Sequence, residues 1–408
     1  MIDVRYLLIG GGLASYHAAK QIRRVDPDGS ILIACEETLP PYDRPPLSKE
    51  YLRGEKTLDS LLYQSSEGLA QEGIGLAIGQ RVEAIDPGSR TAQLTAGGSI
   101  RFEKALIATG GRPIVLNLPG ADLRGIHYLR TAADADAIAA GAAPGRRAVV
   151  IGGGFIGVEV AATLRQRGLA VTLAEALPRV WARFADERLS AFVQEYCAQR
   201  GVEFRTGTAI GAFEGQDAIA GVTTSSGELL PCDLACVGVG IVPNVELAAA
   251  AGLAVEDGIV VDEFLRSSNP AIYGAGDVIN YHDSIFGRRR RVEHWGHAEY
   301  SGQLAGKNMA GGATPYDFLS YVWSDIFDLR LEFAGDESSP DTVLQRGQFD
   351  NGAFSILYLR EGRLTAFFAV NASTRDLGSL RRLIQTRKDL AGREGELEDA
   401  GVNLRNLV

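Results

Sequence analysis

Cysteine is scarce in this chain, with 4 in 408 residues. So few thiols exclude the disulfide-rich scaffolds that small secreted domains use. Cys232 and Cys236 have no second Cys or His pair beside them, so the sequence predicts no zinc site. His294 and His297 share helical spacing, but no third ligand is in view. We therefore predict no metal centre.

Surplus positive charge and long apolar runs are also missing. The chain has 41 Lys and Arg against 51 Asp and Glu, a net charge of −10, which argues against general nucleic-acid binding. Its longest apolar-looking stretch, Ala148–Leu164, contains Glu159 and clustered glycines and is a poor membrane span. At the start, Asp3 and Arg5 lead straight into Tyr6–Ile9, which predicts a buried strand rather than a signal peptide. We expect a cytoplasmic protein without a membrane span.

Glycine, in contrast, is abundant: 49 of the 408 residues are Gly, whereas about 7% is usual. The glycines have no triplet period, which excludes collagen. They cluster in two similar segments, Gly10–Gly12 and Gly152–Gly154. An apolar segment that predicts a strand precedes each cluster, Val4–Ile9 in the first copy and Ala148–Ile151 in the second.

The spacing of these glycines is typical of a turn that holds a dinucleotide pyrophosphate. Gly152, Gly154 and Gly157 fit the pattern G-x-G-x-x-G, and in the first copy Ser15 takes the third position. The first Gly permits a tight turn, the second lets the backbone approach the phosphates, and the third packs helix against strand. The helix that follows, predicted over Val158–Arg167 in the second copy, offers unpaired N–H groups and a partial positive charge.

Each copy also has the acid that completes the signature. Ile31–Cys35 predicts a second strand that ends at Glu36, and Ala170–Ala174 predicts one that ends at Glu175. A carboxylate there accepts hydrogen bonds from the hydroxyls of a ribose. A single glycine pattern is weak evidence, but two complete copies favour two dinucleotides over incidental turns. A flavin nucleotide and a nicotinamide nucleotide that exchange electrons would fit such a chain.

Three further apolar segments end in small residues, as strands that reach a nucleotide do. They are Ala105–Gly110, Leu234–Gly240 and Ala271–Asp277. The third segment delivers one carboxylate, that of Asp277, past two glycines. There it is placed to hydrogen-bond a polyol or ribose; a simple turn cap is the alternative.

One family combines these motifs. The two glycine motifs, Ala108–Gly110 and Gly276–Asp277 resemble the FAD-dependent pyridine-nucleotide oxidoreductases of the glutathione reductase superfamily. Within that superfamily, Arg44–Lys49 and Val292–Ala298 resemble the oxygenase-coupled ferredoxin reductases, of the putidaredoxin reductase and biphenyl dioxygenase ferredoxin reductase types. The same segments resemble the related apoptosis-inducing factor. The resemblance is looser in the C-terminal segment, where Tyr321–Asp325 carries most of it.

The resemblance implies an α/β fold: two Rossmann-like dinucleotide-binding domains, glutathione reductase-like, plus a C-terminal α+β domain. It places an FAD-binding domain in two segments, residues 1–112 and 243–312. An NAD-binding domain at residues 113–242 would be inserted between them. The C-terminal domain would follow at residues 313–408.

The C-terminal domain has its own patterns. Phe354–Leu359 and Thr365–Val370 predict strands, and Leu377–Leu390 predicts a charged helix. The last segment, Gly392–Val408, has few core-forming residues, so we expect it to lie loosely on the surface.

The absence of cysteine in one segment decides the expected chemistry. Disulfide reductases of this superfamily carry a redox Cys in the segment that is Leu39–Lys49 here, and that segment has none. The resemblance then implies a reductase that takes a hydride from NADH to FAD and passes single electrons to a [2Fe–2S] ferredoxin, which feeds an oxygenase. Two alternatives stay open. One is an NADH oxidase or nitrite-reductase-type flavoprotein with another acceptor, and the other is a non-enzymatic NADH sensor like apoptosis-inducing factor.

Charge patterns bear on the partners. Glu175 would repel the 2′-phosphate of NADPH, so we expect a preference for NADH, although Arg179 and Arg183 follow closely. Arg288–Arg291 is the densest basic run and would steer an acidic ferredoxin. A solvated hairpin loop with no role is the alternative. The chain is expected to work as a monomer or homodimer.

The resemblance also implies roles for individual residues. Lys49 would lie beside the flavin N5 and Glu159 would hold it, and both are expected to act in catalysis. A helix that starts near His297 would direct its positive end toward the flavin N1 and O2 atoms. The residues implied in binding FAD or NADH are Gly10, Gly12, Leu13, Ala14, Glu36, Arg44, Pro45, Lys49, Val82, Ala108, Thr109, Gly110, Arg112, Gly152, Gly154, Ile156, Gly157, Glu175, Arg183, Gly238, Gly240, Gly276, Asp277, Glu293, His294, Trp295 and Trp323.

Overall fold

Apolar segments, glycine turns and helical patterns alternate along the chain and produce a mixed α/β structure. The computed structural model describes residues 1–408. The strands, in chain order, are β1 (Ile2–Ile9), β2 (Ile31–Cys35), β3 (Ile74–Ile78), β4 (Val82–Asp86), β5 (Thr91–Leu94), β6 (Ser99–Ile107), β7 (Gly111–Pro113), β8 (Ile126–Tyr128), β9 (Arg147–Ile151), β10 (Ala170–Glu175), β11 (Val202–Thr206), β12 (Ile210–Gly215), β13 (Ile219–Thr224), β14 (Leu229–Pro231), β15 (Leu234–Val237), β16 (Ile241–Pro243), β17 (Ile259–Val260), β18 (Ile272–Gly274), β19 (Ile279–Asp283), β20 (Arg288–Arg290), β21 (Tyr321–Ile326), β22 (Leu329–Gly335), β23 (Thr342–Gln348), β24 (Ala353–Arg360) and β25 (Arg363–Val370).

Helices connect these strands. The α-helices are α1 (Leu13–Val25), α2 (Ser66–Gln71), α3 (Ala132–Gly141), α4 (Phe155–Gln166), α5 (Glu187–Ala198), α6 (Glu246–Ala250), α7 (Trp295–Met309), α8 (Thr374–Thr386) and α9 (Glu394–Glu398). Short 3-10 helices cover Pro45–Ser48, Leu58–Leu61, Gly276–Val278, Phe349–Asn351 and Leu404–Asn406. None of the helices combines the length and the apolar character needed to cross a bilayer.

Backbone contacts divide the chain into two units. The first consists of residues 1–43, 61–112 and 242–322, and the second of residues 44–60, 113–241 and 323–408. The four-segment division into FAD, NAD and C-terminal domains stays a prediction. The contact-based units differ from it at residues 44–60, which lie in the second unit although the sequence places them inside the first predicted FAD segment.

The first unit is built on a sheet with strand order β3-β2-β1-β6-β5-β4, and β18 pairs with β6. β1 lies parallel to both neighbours, with Leu7 opposite Leu32 on one side and Ala105 on the other. Leu7 and Leu8 are fully buried. A central parallel strand is covered on both faces, and it therefore reads as a continuous apolar run rather than an alternating one.

The helices α1 and α7 of the first unit pack at very short range. A Cβ on Gly302 would lie 2.3 Å from the backbone oxygen of Ala14, and one on Gly306 would lie 2.4 Å from that of Ala18. The two glycines are four residues apart, so they share one face of α7. α7 begins at Trp295, two residues before the start predicted at His297.

The second unit contains the second glycine motif. Its parallel sheet has the order β11-β10-β9-β15-β8. The helix α4 begins at Phe155 rather than at the predicted Val158, because Gly154 has an extended backbone and caps the helix. The glycine turn therefore passes into helix without a linker.

The C-terminal part of the second unit is an antiparallel sheet of order β21-β22-β25-β24-β23. The two strands predicted there are confirmed as β24 and β25. The predicted charged helix is α8, which ends at Thr386, earlier than predicted, because Arg387 adopts a left-handed conformation with φ 50°. Its apolar side chains, Leu377, Leu380, Leu383 and Ile384, are buried.

The expectation of a loose C-terminal segment is wrong. Leu397, Leu404 and Leu407 are fully buried. The buried guanidinium of Arg346 donates hydrogen bonds to four backbone carbonyls of this segment, those of Leu397, Asp399, Ala400 and Val402. Few apolar residues suffice to anchor the segment, because one cation satisfies several of its backbone acceptors at once.

Candidate cofactor sites

The first glycine turn lies between β1 and α1, in the first unit. Gly10 has φ +116°, and a Cβ on it would lie 2.3 Å from the backbone oxygen of Ala108, so only glycine fits. A Cβ on Gly11 would lie 1.9 Å from the Cys35 sulfur. Around Gly12, in contrast, a Cβ would meet nothing within 4 Å. The turn is therefore tight on its protein side and open at Gly12.

The second glycine turn, between β9 and α4 in the second unit, repeats this geometry. Gly152 has φ +108°, and its Cβ would lie 2.4 Å from the backbone oxygen of Gly238. A Cβ on Gly157 would lie 1.9 Å from the backbone oxygen of Gly152, which explains the third glycine of the motif. A Cβ on Gly154 would again meet nothing within 4 Å.

Both turns end in helix N-termini that no side chain caps. Gly12 caps α1 and Gly154 caps α4, and neither helix has an acidic residue in its first turn. Their first N–H groups therefore offer donors and a partial positive charge to an anion. In the first turn, the buried Ser15 hydroxyl also has no hydrogen-bond partner. Open space and the free N–H groups at the start of each helix fit a pyrophosphate at each turn, while in the second turn the Gly153 N–H already donates to Glu175.

The two predicted ribose acids differ in their contacts. Glu36 is exposed and lies 3.3 Å from Arg81. The Glu175 carboxylate accepts hydrogen bonds from the backbone N–H of Gly153 at 2.5 Å and of Leu177 at 2.7 Å. It therefore ties the glycine turn to the end of β10.

The arginines that follow Glu175 are not equivalent. The Arg179 guanidinium donates to the backbone oxygen of Ala185 at 2.8 Å and to the Ser190 hydroxyl at 2.7 Å. It is committed to the protein, whereas Arg183 is exposed. The contacts of Arg179 therefore do not argue against a preference for NADH.

The segment Ala271–Asp277 is shorter as a strand than predicted, since β18 ends at Gly274 and a 3-10 helix follows. Gly276 has φ +76°, and a Cβ on it would lie 3.3 Å from the Ala14 Cβ. The predicted residues Ala14 and Gly276 are thus neighbours. The Gly276 N–H donates to the Ser301 hydroxyl of α7 at 2.9 Å, and Asp277 follows directly.

The segment after β6 is held by reciprocal hydrogen bonds. The Thr109 hydroxyl donates to the backbone oxygen of Asn244 at 2.8 Å, and the Asn244 amide donates to the backbone oxygen of Thr109 at 2.9 Å. Arg112 binds the Asn244 side chain at 2.8 Å and Glu246 at 2.7 Å. Asn244 is a positioning residue absent from the predicted set, although the Pro243–Asn244 pair after a strand was its signal.

Hydrogen bonds hold the start of α7. The Trp295 indole N–H donates to Asp43 at 2.9 Å, and the Tyr63 hydroxyl donates to the same oxygen at 2.9 Å. His294 and the Ser320 hydroxyl are 2.8 Å apart. Burial lowers the pKa of His294 to about 3 and that of the fully buried His297 to about 4. Both rings are therefore neutral at pH 7.

Three arginines of the basic run form a strand of a hairpin rather than a loop. Arg288–Arg290 form β20, which pairs with β19. Arg289 donates to the backbone oxygen of Val261 at 2.7 Å, and Arg290 lies 3.2 Å from Asp283. Arg291 lies 3.0 Å from Asp257 and 2.6 Å from Glu293. Carboxylates of the first unit thus compensate the charges of Arg290 and Arg291.

The second unit buries the predicted pair of Lys49 and Glu159. The Lys49 ammonium lies 2.7 Å from a Glu159 oxygen, and both residues are at most 5% exposed. Two serines that the predicted set lacks complete the site. The Ser48 hydroxyl donates to Glu159 Oε2 at 2.5 Å and the Ser324 hydroxyl to Oε1 at 2.6 Å. Ser48 had a weak signal, as the neighbour of Lys49, and Ser324 had none in its local sequence.

Most of the remaining predicted residues lie at or next to the ends of elements. They are Leu13 at the start of α1, Arg44 bonded to the Arg130 carbonyl, Pro45 at the start of a 3-10 helix, Val82 buried in β4, Gly110 after β6, exposed Ile156 in the first turn of α4, Gly240 after β15, exposed Glu293 before α7 and half-buried Trp323 in β21.

The cysteines are placed away from thiol chemistry. None of the four forms a disulfide bond, and all four are buried. Burial raises the pKa of the Cys232 thiol to about 11 and that of the Cys236 thiol to about 12. Since the thiolate is the reactive form, burial disfavours reaction at these two thiols.

Comparison with known proteins agrees with this geometry. Residues 4–302 match the family described as pyridine nucleotide-disulphide oxidoreductase, and residues 321–408 match the reductase C-terminal family. The chain belongs to the pyridine nucleotide-disulphide oxidoreductase family. It is therefore an oxidoreductase that uses FAD and a pyridine nucleotide.

Relatives with names are similar over nearly their whole length. The 5,5′-dehydrodivanillate O-demethylase ferredoxin reductase subunit of Sphingobium sp. is 37% identical over 408 residues, which cover 98% of each chain. Rhodocoxin reductase of Rhodococcus erythropolis is 35% identical, covering 98% of this chain and 93% of that protein. The putidaredoxin reductase chain of a covalent complex with putidaredoxin has a TM-score of 0.94 at 32% identity, covering 100% of this chain and 98% of that chain. This likeness confirms the predicted fold class.

Proposed function

We propose that the protein is an NADH-dependent flavoprotein reductase that delivers electrons to a [2Fe–2S] ferredoxin, which in turn serves an oxygenase. The names of the relatives support this class of acceptor, since they include a demethylase ferredoxin reductase subunit and putidaredoxin reductase. The observation that carries the proposal is the repeated geometry of the two glycine turns, because a reductase of this kind needs two dinucleotides.

The residues of this chain bind the two nucleotides and orient them. The turn at Gly10–Gly12 with the α1 N-terminus is the proposed site of the FAD pyrophosphate, and the turn at Gly152–Gly154 with α4 that of NADH. When bound, FAD accepts a hydride from NADH and gives up electrons singly. Lys49 is proposed, from the resemblance, to place a positive charge beside the flavin. Glu159 holds the Lys49 ammonium at 2.7 Å, which fixes its position.

The finer parts of the proposal concern compartment, donor and assembly. Four free cysteines suit a reducing compartment, and this supports the cytoplasm. Glu175 at the end of β10 supports NADH over NADPH, because a carboxylate beside the adenosine ribose would repel a 2′-phosphate. A monomer or homodimer is proposed for the assembly.

Stopped-flow spectroscopy tests the proposal. The flavoprotein is first reduced with NADH and then mixed with a small [2Fe–2S] ferredoxin, with O₂ alone, or with neither. We expect the ferredoxin to reoxidise the flavin much faster than O₂ does. Faster oxidation by O₂ alone would support an oxidase instead. A stable complex of reduced protein and nicotinamide, with a changed oligomeric state, would support a sensor.

A further inference from the structure

Ser324 places a hydroxyl on a face of β21 that is otherwise apolar. Ser324 and Ile326 share that face and are 1% and 0% exposed. A buried hydroxyl without a partner destabilises the fold, so a polar residue at such a position calls for an explanation. The explanation is 165 residues away in sequence, at the Glu159 carboxylate.

The Glu159 carboxylate is held at both oxygens. Ser324 donates to Oε1 at 2.6 Å, while Ser48 and Lys49 donate to Oε2 at 2.5 Å and 2.7 Å. Ser48 is held in turn, because the Thr163 hydroxyl of α4 donates to its backbone oxygen at 2.7 Å. The carboxylate therefore cannot rotate without breaking a charge-assisted hydrogen bond, and these are about twice as strong as neutral ones.

The Lys49 ammonium depends on this arrangement. Its other acceptors are the Pro45 carbonyl at 3.3 Å and the Ser48 hydroxyl at 3.5 Å, both longer than its contact with Glu159. Glu159 is its only carboxylate partner within ion-pair distance. A rotation of the Glu159 carboxylate therefore also reorients the Lys49 ammonium.

We propose that Ser324 is a positioning residue for the reductive reaction. It fixes the Glu159 carboxylate, which fixes the Lys49 ammonium, and through them the C-terminal domain controls the charge that the flavin experiences. This inference rests on the proposed function and on the role proposed there for Lys49. Without Ser324, Glu159 Oε1 has no donor, the carboxylate turns, and the positive charge loses its fixed direction.

The series of contacts from Ser324 through Glu159 to Lys49 affects electron uptake by the flavin and not the affinity for the nucleotide. A misdirected cation stabilises the reduced flavin less, so the midpoint potential of bound FAD should fall. The rate of flavin reduction by NADH should fall with it, while KM for NADH stays the same, because Ser324 is not a nucleotide-binding residue. Loss of one hydrogen bond to a charged group corresponds to a roughly 10-fold slower rate.

Ser379 offers a matched control in the same domain. It is 5% exposed, and its hydroxyl donates to the Arg375 carbonyl of its own helix at 3.0 Å. Ser379→Ala removes a similarly buried hydroxyl that has no charged partner. Its effect is limited to stability.

The experiment compares Ser324→Ala, Ser324→Thr and Ser379→Ala as FAD-loaded full-length proteins. Redox titration with dithionite measures the midpoint potential of the flavin, and single-turnover mixing measures its reduction by NADH. Ser324→Ala should lower the potential, as we also expect of Lys49→Met, and slow reduction about 10-fold at unchanged KM. Ser324→Thr should restore both values, and Ser379→Ala should leave both at the wild-type level.

A double-mutant cycle with Glu159→Gln tests the route. If Ser324 acts through the carboxylate, Ser324→Ala should shift the potential no further once Glu159 is Gln. An equal shift in both backgrounds, or no shift in Ser324→Ala, overturns the proposal. The titration needs no NADH, so a wild-type protein that NADH fails to reduce would reject the proposed function and leave this test standing.

Discussion

At the scale of the residue, glycines of the same motif have different tasks. Gly10 is required by the protein itself, because its φ of +116° and the 2.3 Å approach of the Ala108 oxygen leave no place for a side chain. Gly12 has φ −94°, which any residue adopts, and open space where its side chain would be. Its smallness matters only to a ligand.

This difference makes a sharp prediction. Gly12→Val should fold with nearly wild-type stability as the apoprotein but purify mostly colourless, because the valine fills the space of the pyrophosphate. Gly10→Val should instead lower the melting temperature of the apoprotein. Flavin absorbance and thermal unfolding measure the two effects, and full flavin occupancy in Gly12→Val would falsify the assignment of the first turn to FAD.

A second residue-scale prediction concerns the choice of donor. The wild-type protein should have a higher kcat/KM for NADH than for NADPH, because Glu175 is proposed to face the adenosine ribose and Arg179 is bonded elsewhere. Glu175→Ala should narrow the difference. It should also weaken NADH binding, since the Gly153 N–H loses its acceptor. Arg183→Ala is the control variant. A large loss of activity with NADPH in that variant would contradict the explanation of the preference through Glu175.

At the scale of the element, single side chains hold whole segments in place. Arg346 on β23 binds the four carbonyls of the C-terminal segment and has no carboxylate within ion-pair distance. Burial lowers its pKa from the usual value, and the carbonyls compensate by accepting hydrogen bonds from its N–H groups.

Arg346→Met should therefore destabilise the protein by about 2–4 kcal/mol, since several buried carbonyls lose their donor together. Chemical denaturation measures the loss, and limited proteolysis should show cleavage after residue 390 that the wild type resists. Arg382→Met, an exposed residue on α8, is the control and should change neither. Unchanged protease resistance in Arg346→Met would show that the buried leucines alone anchor the segment.

The start of α7 makes stability depend on pH. The pKa values of His294 and His297 are lowered to about 3 and 4 by burial, so the unfolded chain binds protons that the folded chain does not. Stability is then fully present above the unfolded pKa of about 6.5 and declines as the pH falls toward the folded values. Each histidine contributes up to about 1.4 kcal/mol per pH unit in that window.

We expect urea unfolding at pH 7.5 and pH 5.5 to show this loss, with a smaller pH difference in His297→Asn. Substitution of the exposed His282 should leave the difference as it is. A His297 variant with the wild-type pH dependence would mean that other groups titrate.

At the scale of the whole molecule, the charge balance is unfavourable for an acidic partner. The net charge is −10, and within the densest basic run Arg290 pairs with Asp283 and Arg291 with Asp257. Arg288, Arg382, Arg387 and Lys388 keep exposed side chains. Steering of an acidic ferredoxin then has to use such local positive sites.

The rate of ferredoxin reduction should therefore fall as the salt concentration rises. At 0.1 M salt the Debye length is about 10 Å, so charges farther apart than that are screened. Arg288→Glu should reduce the rate and its salt dependence without changing flavin reduction by NADH. Arg330→Glu, which alters the net charge equally at an exposed position of β22, should have a smaller effect. Equal effects of the two variants would indicate that only net charge matters.

The sequence predicted those features that depend on residues close together along the chain. The glycine turns, the strands around them and the absence of a redox Cys follow from short segments, because strand, turn and helix N-terminus are adjacent in sequence. The pairing of Lys49 with Glu159 was implied by the resemblance. In the structure the Lys49 ammonium lies 2.7 Å from a Glu159 carboxylate oxygen. The start of α4 was misjudged by three residues, since Gly154 itself caps the helix.

The sequence alone thus determined the class of the protein: two dinucleotide turns, no thiol chemistry and an α/β fold. Only the tertiary structure decided which side chains support the site. Ser324 reaches Glu159, Arg346 holds the C-terminal segment, and Gly302 meets Ala14 across distances that no local pattern encodes. Burial made the difference, because a polar group taken from water must find a partner wherever the fold provides one.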